Sequence, residues 1–221
     1  MTSAIIVAAG SSSRMGFNKL LAPLAGVPVL RRTLAAFEAC EDVDEIIVVG
    51  GEPVREAVGE WLELAKVSAV IPGGSARHFS VWAGLQACAA GAEIVAVHDG
   101  ARPLITPWQI SKCVQAAGDR GAVACARPMT ETLKRADADS RVTESLDRNG
   151  VWVMETPQVF LRDLLVRAYE QVLADDALVT DEVSAVQHLG ADVFLVENLE
   201  PNPKITFPGD LVFAARNLPL L

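Results

Sequence analysis

The segment from Ala8 to Lys19, which reads AAGSSSRMGFNK, combines small, hydroxyl-bearing and basic residues. Small residues let a backbone approach a ligand closely, and serine hydroxyls and N–H groups donate hydrogen bonds to phosphate oxygens. Arg14 and Lys19 add two cations. The segment matches neither the Walker A pattern GxxxxGK[ST] nor the dinucleotide pattern GxGxxG. An ordinary glycine turn with solvated cations is the alternative, but the combination favours phosphate binding.

Two later segments carry residues of the same kind. The first, GGSARHFS from Gly73 to Ser80, has two glycines that permit close approach to a flat ligand, although a plain N-capped helix explains it equally well. The second, HDGARP, places Asp99 where a carboxylate would hold Mg2+ against a triphosphate. The planar fork of Arg102 suits a second phosphate. We expect His98 to be a packed, hydrogen-bonded residue, and Asp99 as a mere turn-former is the less favoured alternative.

Hydroxyls and single cations recur at segment ends in the second half of the chain. Taken singly, each has an ordinary interpretation as a helix cap, a hairpin residue or a solvated charge. Taken together, they are groups that would hold a small phosphorylated polyol beside a nucleotide. They are Thr132, Lys134, Arg135, Arg148, Thr156, Thr180, Lys204 and Thr206.

The elements that position these residues are short β-branched runs alternating with helical patterns. This alternation, with 51% hydrophobic but only 5% aromatic residues, predicts an α/β fold with a mostly parallel sheet and helices on both faces. Ligands bind such sheets at the carboxyl ends of the strands. The predicted strands are Ala4–Ala8, Glu45–Val49, Ser68–Ile71, Ile94–His98, Ala122–Ala126, Val159–Phe160, Asp192–Val196 and Lys204–Thr206. The predicted helices are Val29–Ala39, Pro53–Leu64, Phe79–Ala89, Pro107–Ala117, Arg162–Ala174, Asp181–His188 and Pro208–Asn217.

The stretch from Arg127 to Asn149 interrupts this alternation, because it is polar and poor in large apolar residues. It cannot bury a face of its own, so it is either a mobile loop or a protruding β-arm that pairs with something else. Alternation at period two in TETLKR and RVTESL, with the turn-forming DADS between them, favours the arm. No repeat or linker marks a second domain, so a single domain over residues 1–221 is expected.

The charge balance excludes some partners. The chain has 221 residues, with 19 Lys and Arg against 28 Asp and Glu, a formal net charge of −9. Nucleic-acid and anionic-membrane binders need a broad positive field, so neither partner is expected. No apolar run reaches the roughly 18 residues of a membrane span, and the N-terminus lacks the basic flank of a signal peptide. These features predict a cytoplasmic protein.

Eight segments resemble, in order and spacing, the 2-C-methyl-D-erythritol 4-phosphate cytidylyltransferase family of the non-mevalonate isoprenoid pathway. They are AAGSSSRMG with Lys19, GGSARHFSV, VHDGARPL, TLKR, DRNGVW, TPQVF, TDEVSAV and NPKIT. The resemblance extends from Ala4 to about Asn217. It implies transfer of a cytidylyl group from CTP to the polyol phosphate substrate, a Rossmann-like nucleotidyltransferase sheet, and a homodimer formed through the β-arm at about 127–149.

The resemblance also implies roles for individual residues. The implied catalytic residues are Arg14, Lys19 and Lys204, and Asp99 is the implied ligand of Mg2+ or another divalent cation. The residues matched to the nucleotide site are Ala8, Ala9, Gly10, Gly74, Ser75, Ser80 and Gly100. The residues matched to the substrate site are Arg102, Thr132, Arg148, Thr156, Thr180 and Thr206, with Arg148 supplied by the second subunit's arm.

Two alternatives remain beside this interpretation. D-ribitol 5-phosphate cytidylyltransferases share the fold, CTP and metal, but ARPL, TLKR and DRNGVW resemble the methylerythritol family more closely. A catalytically inactive nucleotide-binding module would have the same fold. Such a module should have lost some of Arg14, Lys19, Asp99 or Lys204, and all four are present.

Overall fold

Seven strands form one sheet in the computed structural model, which describes residues 1–10 and 15–218. The strands in chain order are β1 (Thr2–Ala8), β2 (Pro23–Leu24), β3 (Val27–Pro28), β4 (Glu45–Gly50), β5 (Val67–Ile71), β6 (Ile94–Asp99), β7 (Ala122–Pro128), β8 (Leu133–Ala136), β9 (Val142–Leu146), β10 (Trp152–Leu161) and β11 (Phe194–Glu197). The helices are α1 (Val29–Glu38), α2 (Glu52–Gly59), α3 (Arg77–Ala87), α4 (Pro107–Arg120), α5 (Arg162–Ala174), α6 (Glu182–His188) and α7 (Pro208–Arg216).

The main sheet has the strand order β11-β7-β10-β6-β1-β4-β5. Its strands pair in parallel except for β10, which runs antiparallel to both β6 and β7. The prediction of a mostly parallel sheet is therefore confirmed. The central strands are buried on both faces, which explains why β4 has the continuous apolar run IIVV instead of alternating polar residues.

Helices cover both faces of the sheet, as predicted. Successive side chains of a strand point to opposite faces. On β1, Ile6 accordingly belongs to a core cluster with residues of α1, α2, α4 and α7. Its neighbour Ile5 belongs to a second cluster with residues of α3, α5 and α6. The two clusters fix the sheet between two helical layers, and within the described residues no helix is long and apolar enough to cross a membrane.

The predicted strand at Lys204–Thr206 is wrong. The N–H of Ile205 donates to the carbonyl oxygen of Ala101 (2.8 Å), and its carbonyl accepts a hydrogen bond from Lys19 Nζ (2.7 Å). These isolated bonds link the residue to a loop and a side chain, so no strand ladder forms. The predicted short strand at Val159–Phe160 is instead part of the ten-residue β10.

The polar stretch after β7 contains a hairpin. Strands β8 and β9 pair antiparallel with each other and form a two-stranded sheet apart from the main one. The Asp137 carboxylate accepts hydrogen bonds from the N–H groups of Asp139 and Arg141, which closes the turn between the strands. Because most of its side chains are exposed, the hairpin adds little to the core of its own chain.

Two helix glycines provide a matched test of the packing between helix and sheet. A Cβ added at Gly84 in α3 would lie 2.6 Å from Ile5 Cγ2 and 3.1 Å from Val49 Cγ2, whereas one at Gly118 in α4 would meet its nearest neighbour at 4.0 Å. We expect Gly84→Ala to lower the free energy of unfolding by about 1–3 kcal/mol through overpacking. Gly118→Ala should raise it by about 0.4–1 kcal/mol. Urea unfolding measures both, and equal effects at the two positions would contradict this account.

Candidate active site

The three segments singled out in the sequence meet at one cleft at the carboxyl edge of the sheet. β1 and β6 are neighbours, and their register sets Val7 beside Asp99. The loop between β5 and α3 closes the opposite side, leaving a cleft of about 350 Å3. The predicted residues that line it are Ala8, Ala9, Gly10, Lys19, Gly74, Ser75, Ser80, Asp99 and Lys204.

Asp99 is a buried carboxylate surrounded by cations. Its Oδ2 lies 3.0 Å from Lys204 Nζ and 3.5 Å from Arg102 Nε, and its Oδ1 lies 3.5 Å from Arg77 Nη2. Burial alone would raise the pKa of Asp99, but the charges of Lys204, Arg77 and Arg102 outweigh it and hold the pKa well below its usual value. The carboxylate is therefore ionised at neutral pH.

Arg77 also lines the cleft, although no role is predicted for it from the sequence. It is the first residue of α3, and its guanidinium pairs with both oxygens of Glu182 in α6, at 2.5 and 3.0 Å. Tyr169 donates a third hydrogen bond to the fully buried Glu182 (3.0 Å). Burial by itself lowers the pKa of Arg77, but the adjacent Glu182 carboxylate raises it above its ordinary value. Arg77 is thus a fixed cation in the wall of the cleft.

Lys19 and Lys204 are linked to each other through the backbone at Ile205. Lys19 Nζ donates to the carbonyl oxygen of Ile205 (2.7 Å), the residue that follows Lys204. The side chain of Lys204 is 41% exposed, so its position depends on the ion pair with Asp99 more than on packing. The arrangement brings two lysines and an aspartate from distant parts of the chain to one cleft.

The glycines of the loop before α3 allow it to approach β1. A Cβ on Gly73 would lie 2.3 Å from the Cβ of Ala9, so a larger residue would push the two loops apart. Ser80 is almost fully buried, and its hydroxyl accepts from the N–H of Gly74 (3.0 Å) and donates to the carbonyl oxygen of Ala76 (3.2 Å). Ser80 therefore shapes the wall of the cleft.

Some predicted residues have roles in packing near the site. Gly100 lies outside the cleft lining, and a Cβ there would approach Leu30 Cδ1 to 2.9 Å. The buried hydroxyl of Thr156 accepts a hydrogen bond from the N–H of Asp99 (3.1 Å) and lies 3.0 Å from His98 Nδ1. His98 is fully buried, as expected for a packed residue, and burial lowers its pKa to about 3.

Four further predicted residues, all in the described part of the chain, do not line its cleft. Thr132 and Arg148 flank the hairpin, where Arg148 donates to the carbonyl oxygen of Thr130. Thr180 is exposed next to α6, which begins with Asp181 as its cap. The hydroxyl of Thr206 donates to the carbonyl oxygen of Lys204 (3.1 Å). Arg14 lies outside the described residues.

Among the described residues that line the cleft, Asp99 supplies the one carboxylate that could bind a divalent cation. Within residues 1–10 and 15–218, no group of three or more His, Cys, Asp or Glu side chains is arranged to hold a metal by itself. Mg2+ characteristically takes one or two protein carboxylates and completes its shell with water and substrate phosphates. The ionised Asp99 fits that donor set.

The fold and the cleft define a class of protein. A doubly covered α/β sheet with a small-residue loop after its first strand, two lysines and an ionised aspartate at the carboxyl edge is typical of enzymes that transfer a nucleotidyl group. Residues 2–218 match the family described as 2-C-methyl-D-erythritol 4-phosphate cytidylyltransferase (IspD), and the chain belongs to this family.

Individual relatives agree with this assignment. The 2-C-methyl-D-erythritol 4-phosphate cytidylyltransferase of Symbiobacterium thermophilum is 43% identical over 216 residues, which cover 96% of this chain and 90% of the relative. The enzyme of the same name from Caldanaerobacter subterraneus is 41% identical, covering 96% of each. The crystal structure of 4-diphosphocytidyl-2C-methyl-D-erythritol synthase from Anaerococcus prevotii superposes with a TM-score of 0.85 at 32% identity, covering 97% of this chain and 94% of that one.

Burial of His98 predicts a pH dependence of stability. The folded protein keeps this side chain neutral down to a pKa of about 3, whereas an unfolded histidine binds a proton below about pH 6.5. The unfolded state therefore binds more protons in this window, and stability falls as the pH drops from about 6.5 toward 3. The contribution approaches about 1.4 kcal/mol per pH unit. Urea unfolding at pH 7, 6 and 5 should show a steeper loss for the native sequence than for His98→Gln, and parallel curves would contradict it.

Proposed function

We propose that this chain transfers the cytidylyl group of CTP to 2-C-methyl-D-erythritol 4-phosphate, yielding 4-diphosphocytidyl-2-C-methyl-D-erythritol and pyrophosphate. The observation that carries the proposal is the convergence of Lys19, Asp99 and Lys204 at one cleft in a chain that matches this family over nearly its whole length. The reaction belongs to non-mevalonate isoprenoid biosynthesis.

The chemistry needs no nucleophile from the protein. A phosphate oxygen of the acceptor attacks the α-phosphorus of CTP, a new P–O bond forms, and the bond to the leaving pyrophosphate breaks. The acceptor phosphate is already ionised at neutral pH, so no general base is required. Catalysis then depends on positioning and on stabilising the charge of the phosphoryl oxygens.

In the proposal, Lys19 and Lys204 supply the positive charges that stabilise the phosphoryl oxygens, together with Arg14 by resemblance. Both lysines are held at the edge of the cleft, Lys19 by the carbonyl of Ile205 and Lys204 by Asp99. Preorganised cations act strongly in a site from which water is excluded, and loss of one such donor commonly costs about 2.7–4 kcal/mol of transition-state stabilisation.

Asp99 is the proposed ligand for Mg2+ or another divalent cation. When bound, such a cation neutralises phosphate oxygens that would otherwise repel the attacking anion. The ionised state of Asp99 and its position at the end of β6 support this role. Arg77 and Arg102 hold the carboxylate in place from two sides.

The nucleotide and the acceptor are assigned to two sets of residues. Ala8, Ala9, Gly10, Gly74 and Ser75 offer backbone and small side chains for CTP, with Ser80 and Gly100 supporting them through packing. For the acceptor phosphate and its hydroxyls we propose Arg102, Thr132, Arg148, Thr156, Thr180 and Thr206. In this assignment Thr156 acts through the backbone N–H of Asp99, because its hydroxyl is already engaged there.

We also propose that the hairpin of β8 and β9 joins two copies of the chain. The support is its separation from the main sheet and its exposed surface. Arg148 is not among the residues lining the cleft of its own chain, which is consistent with its serving a second subunit's site.

The roles of the two lysines can be tested by substitution. We expect Lys19→Ala and Lys204→Ala each to lower turnover at least about a hundredfold, because each removes a charge that stabilises the reacting phosphates. The assay is pyrophosphate release from CTP with methylerythritol phosphate, with and without EDTA. Lys112→Ala is the matched control, since that lysine lies on the surface over Trp108. Near-normal turnover in either site variant, or turnover with D-ribitol 5-phosphate instead, would refute the assignment.

Mixed dimers test whether Arg148 acts across subunits. Arg148→Ala and Lys19→Ala chains should each be poorly active, and subunit exchange between them should restore activity. The mixed dimer then contains one site with an intact Lys19 from one chain and an intact Arg148 from the other. A mixture of Lys19→Ala and Lys204→Ala is the control, because those residues belong to the same site. No gain in the first mixture would place Arg148 in its own chain's site or outside the reaction.

A further inference from the structure

Glu155 is a buried carboxylate beside the nucleotide cleft, and none of the roles assigned above uses it. It lies in β10 and is only 3% exposed. Its Oε2 accepts hydrogen bonds from Asn198 Nδ2 (2.9 Å) and Asn202 Nδ2 (3.1 Å). Its Oε1 lies 3.5 Å from Arg127 Nε at the root of the hairpin. Burying a carboxylate is costly unless it is paired and hydrogen-bonded, so these contacts compensate its desolvation.

Both asparagines belong to the segment 198–207, which links β11 to α7 and carries Lys204. The segment contains no helix or strand, so its course depends on individual hydrogen bonds. Asn202 donates a second bond from its amide to the carbonyl oxygen of Thr156 (3.0 Å). The carbonyl of Asn202 accepts from Arg102 Nη1 (2.8 Å). The segment is therefore joined to β10 by Glu155 and to the cleft by Arg102.

We propose that Glu155 is a positioning residue for Lys204. Its Oε2 accepts hydrogen bonds from two side chains of the segment, the second of them only two residues before Lys204. The inference rests on the proposed role of Lys204 in the reaction. Glu155 acts through its hydrogen bonds to Asn198 and Asn202, which set the position of the backbone from which Lys204 reaches Asp99.

The exposure of Lys204 makes this positioning necessary. Its side chain is 41% exposed and its ammonium is held at 3.0 Å from Asp99, so packing alone does not fix it. Misplacing a catalytic group by about 1 Å commonly costs on the order of a hundredfold in rate. Loss of the hydrogen-bonded anchor at Asn198 and Asn202 should allow a displacement of this size.

Three variants separate a positioning role from a merely structural one. We expect Glu155→Ala to lower kcat at least about tenfold with KM for CTP changed less than about twofold. Glu155→Gln should restore most of the activity, because its amide oxygen can still accept from both asparagines. Glu45→Ala is the matched control. Glu45 is also a buried carboxylate, accepting from Ser3, Ser68 and the N–H of Ala89, but it lies at the amino end of β4 away from the cleft. It should lose stability with kcat unchanged.

A double-mutant cycle shows whether Glu155 acts through Lys204. In a Lys204→Ala background, Glu155→Ala should change kcat by less than about twofold, because the group that it positions is gone. If the kcat loss of the double variant instead equals the product of the two single losses, the proposal is overturned. Asn202→Ala removes the donor side of the same anchor and should reproduce the kcat loss, so the test holds even if Glu155→Ala fails to fold.

Chemical labelling of Lys204 tests the proposal without turnover. Limited modification with an amine-reactive reagent, followed by peptide mass spectrometry, should proceed faster at Lys204 in Glu155→Ala than in the native sequence, with Lys112 unchanged. Unchanged labelling of Lys204 would overturn the positioning role. Faster labelling in an enzyme whose Lys204→Ala variant keeps full activity would support positioning and refute the catalytic role of Lys204.

Discussion

The negative charge of Asp99 is the interaction on which the rest of the site depends. The carboxylate stands at the end of a buried strand, where an uncompensated charge would be very costly. Compensation comes from three cations on three different elements: Arg77 at the start of α3, Arg102 after β6, and Lys204 between β11 and α7. One buried anion therefore links three segments that lie far apart in the sequence. The same charge is what a divalent cation requires.

The two arginines among these cations are each held by a second partner. Arg77 pairs with Glu182, which is fixed by Tyr169. Arg102 donates to the backbone of Asn202. These contacts hold the two arginine side chains as fixed charges, at the expense of burying a further carboxylate, that of Glu182. This cost is offset because the Glu182 carboxylate accepts hydrogen bonds from both Arg77 and Tyr169.

Local patterns predicted the sheet, the helical layers and the residues at the ends of β1 and β6. The reason is that strand periodicity, glycine pairs and a carboxylate after a strand are features of short windows. The pair of Arg77 and Glu182 spans 105 residues and left no signal in spacing. The hydrogen bond between the Thr156 hydroxyl and the N–H of Asp99 spans 57 residues and likewise has no local signature. Ile205 lies in a loop, but it is apolar and buried like a residue of a sheet strand. A local sequence pattern therefore predicts a strand at this position.

The reversed direction of β10 has a consequence for how this fold can change. Since β7 leaves the sheet and β10 returns beside it in the opposite direction, the two ends of the excursion lie together, with the N–H of Met129 bonded to the carbonyl of Val151 at 2.9 Å. Everything between these residues is an insertion in a hairpin connection. A change in the length of this insertion alters neither the strand order nor the pairing of β7 with β10, so the hairpin can vary independently of the main sheet.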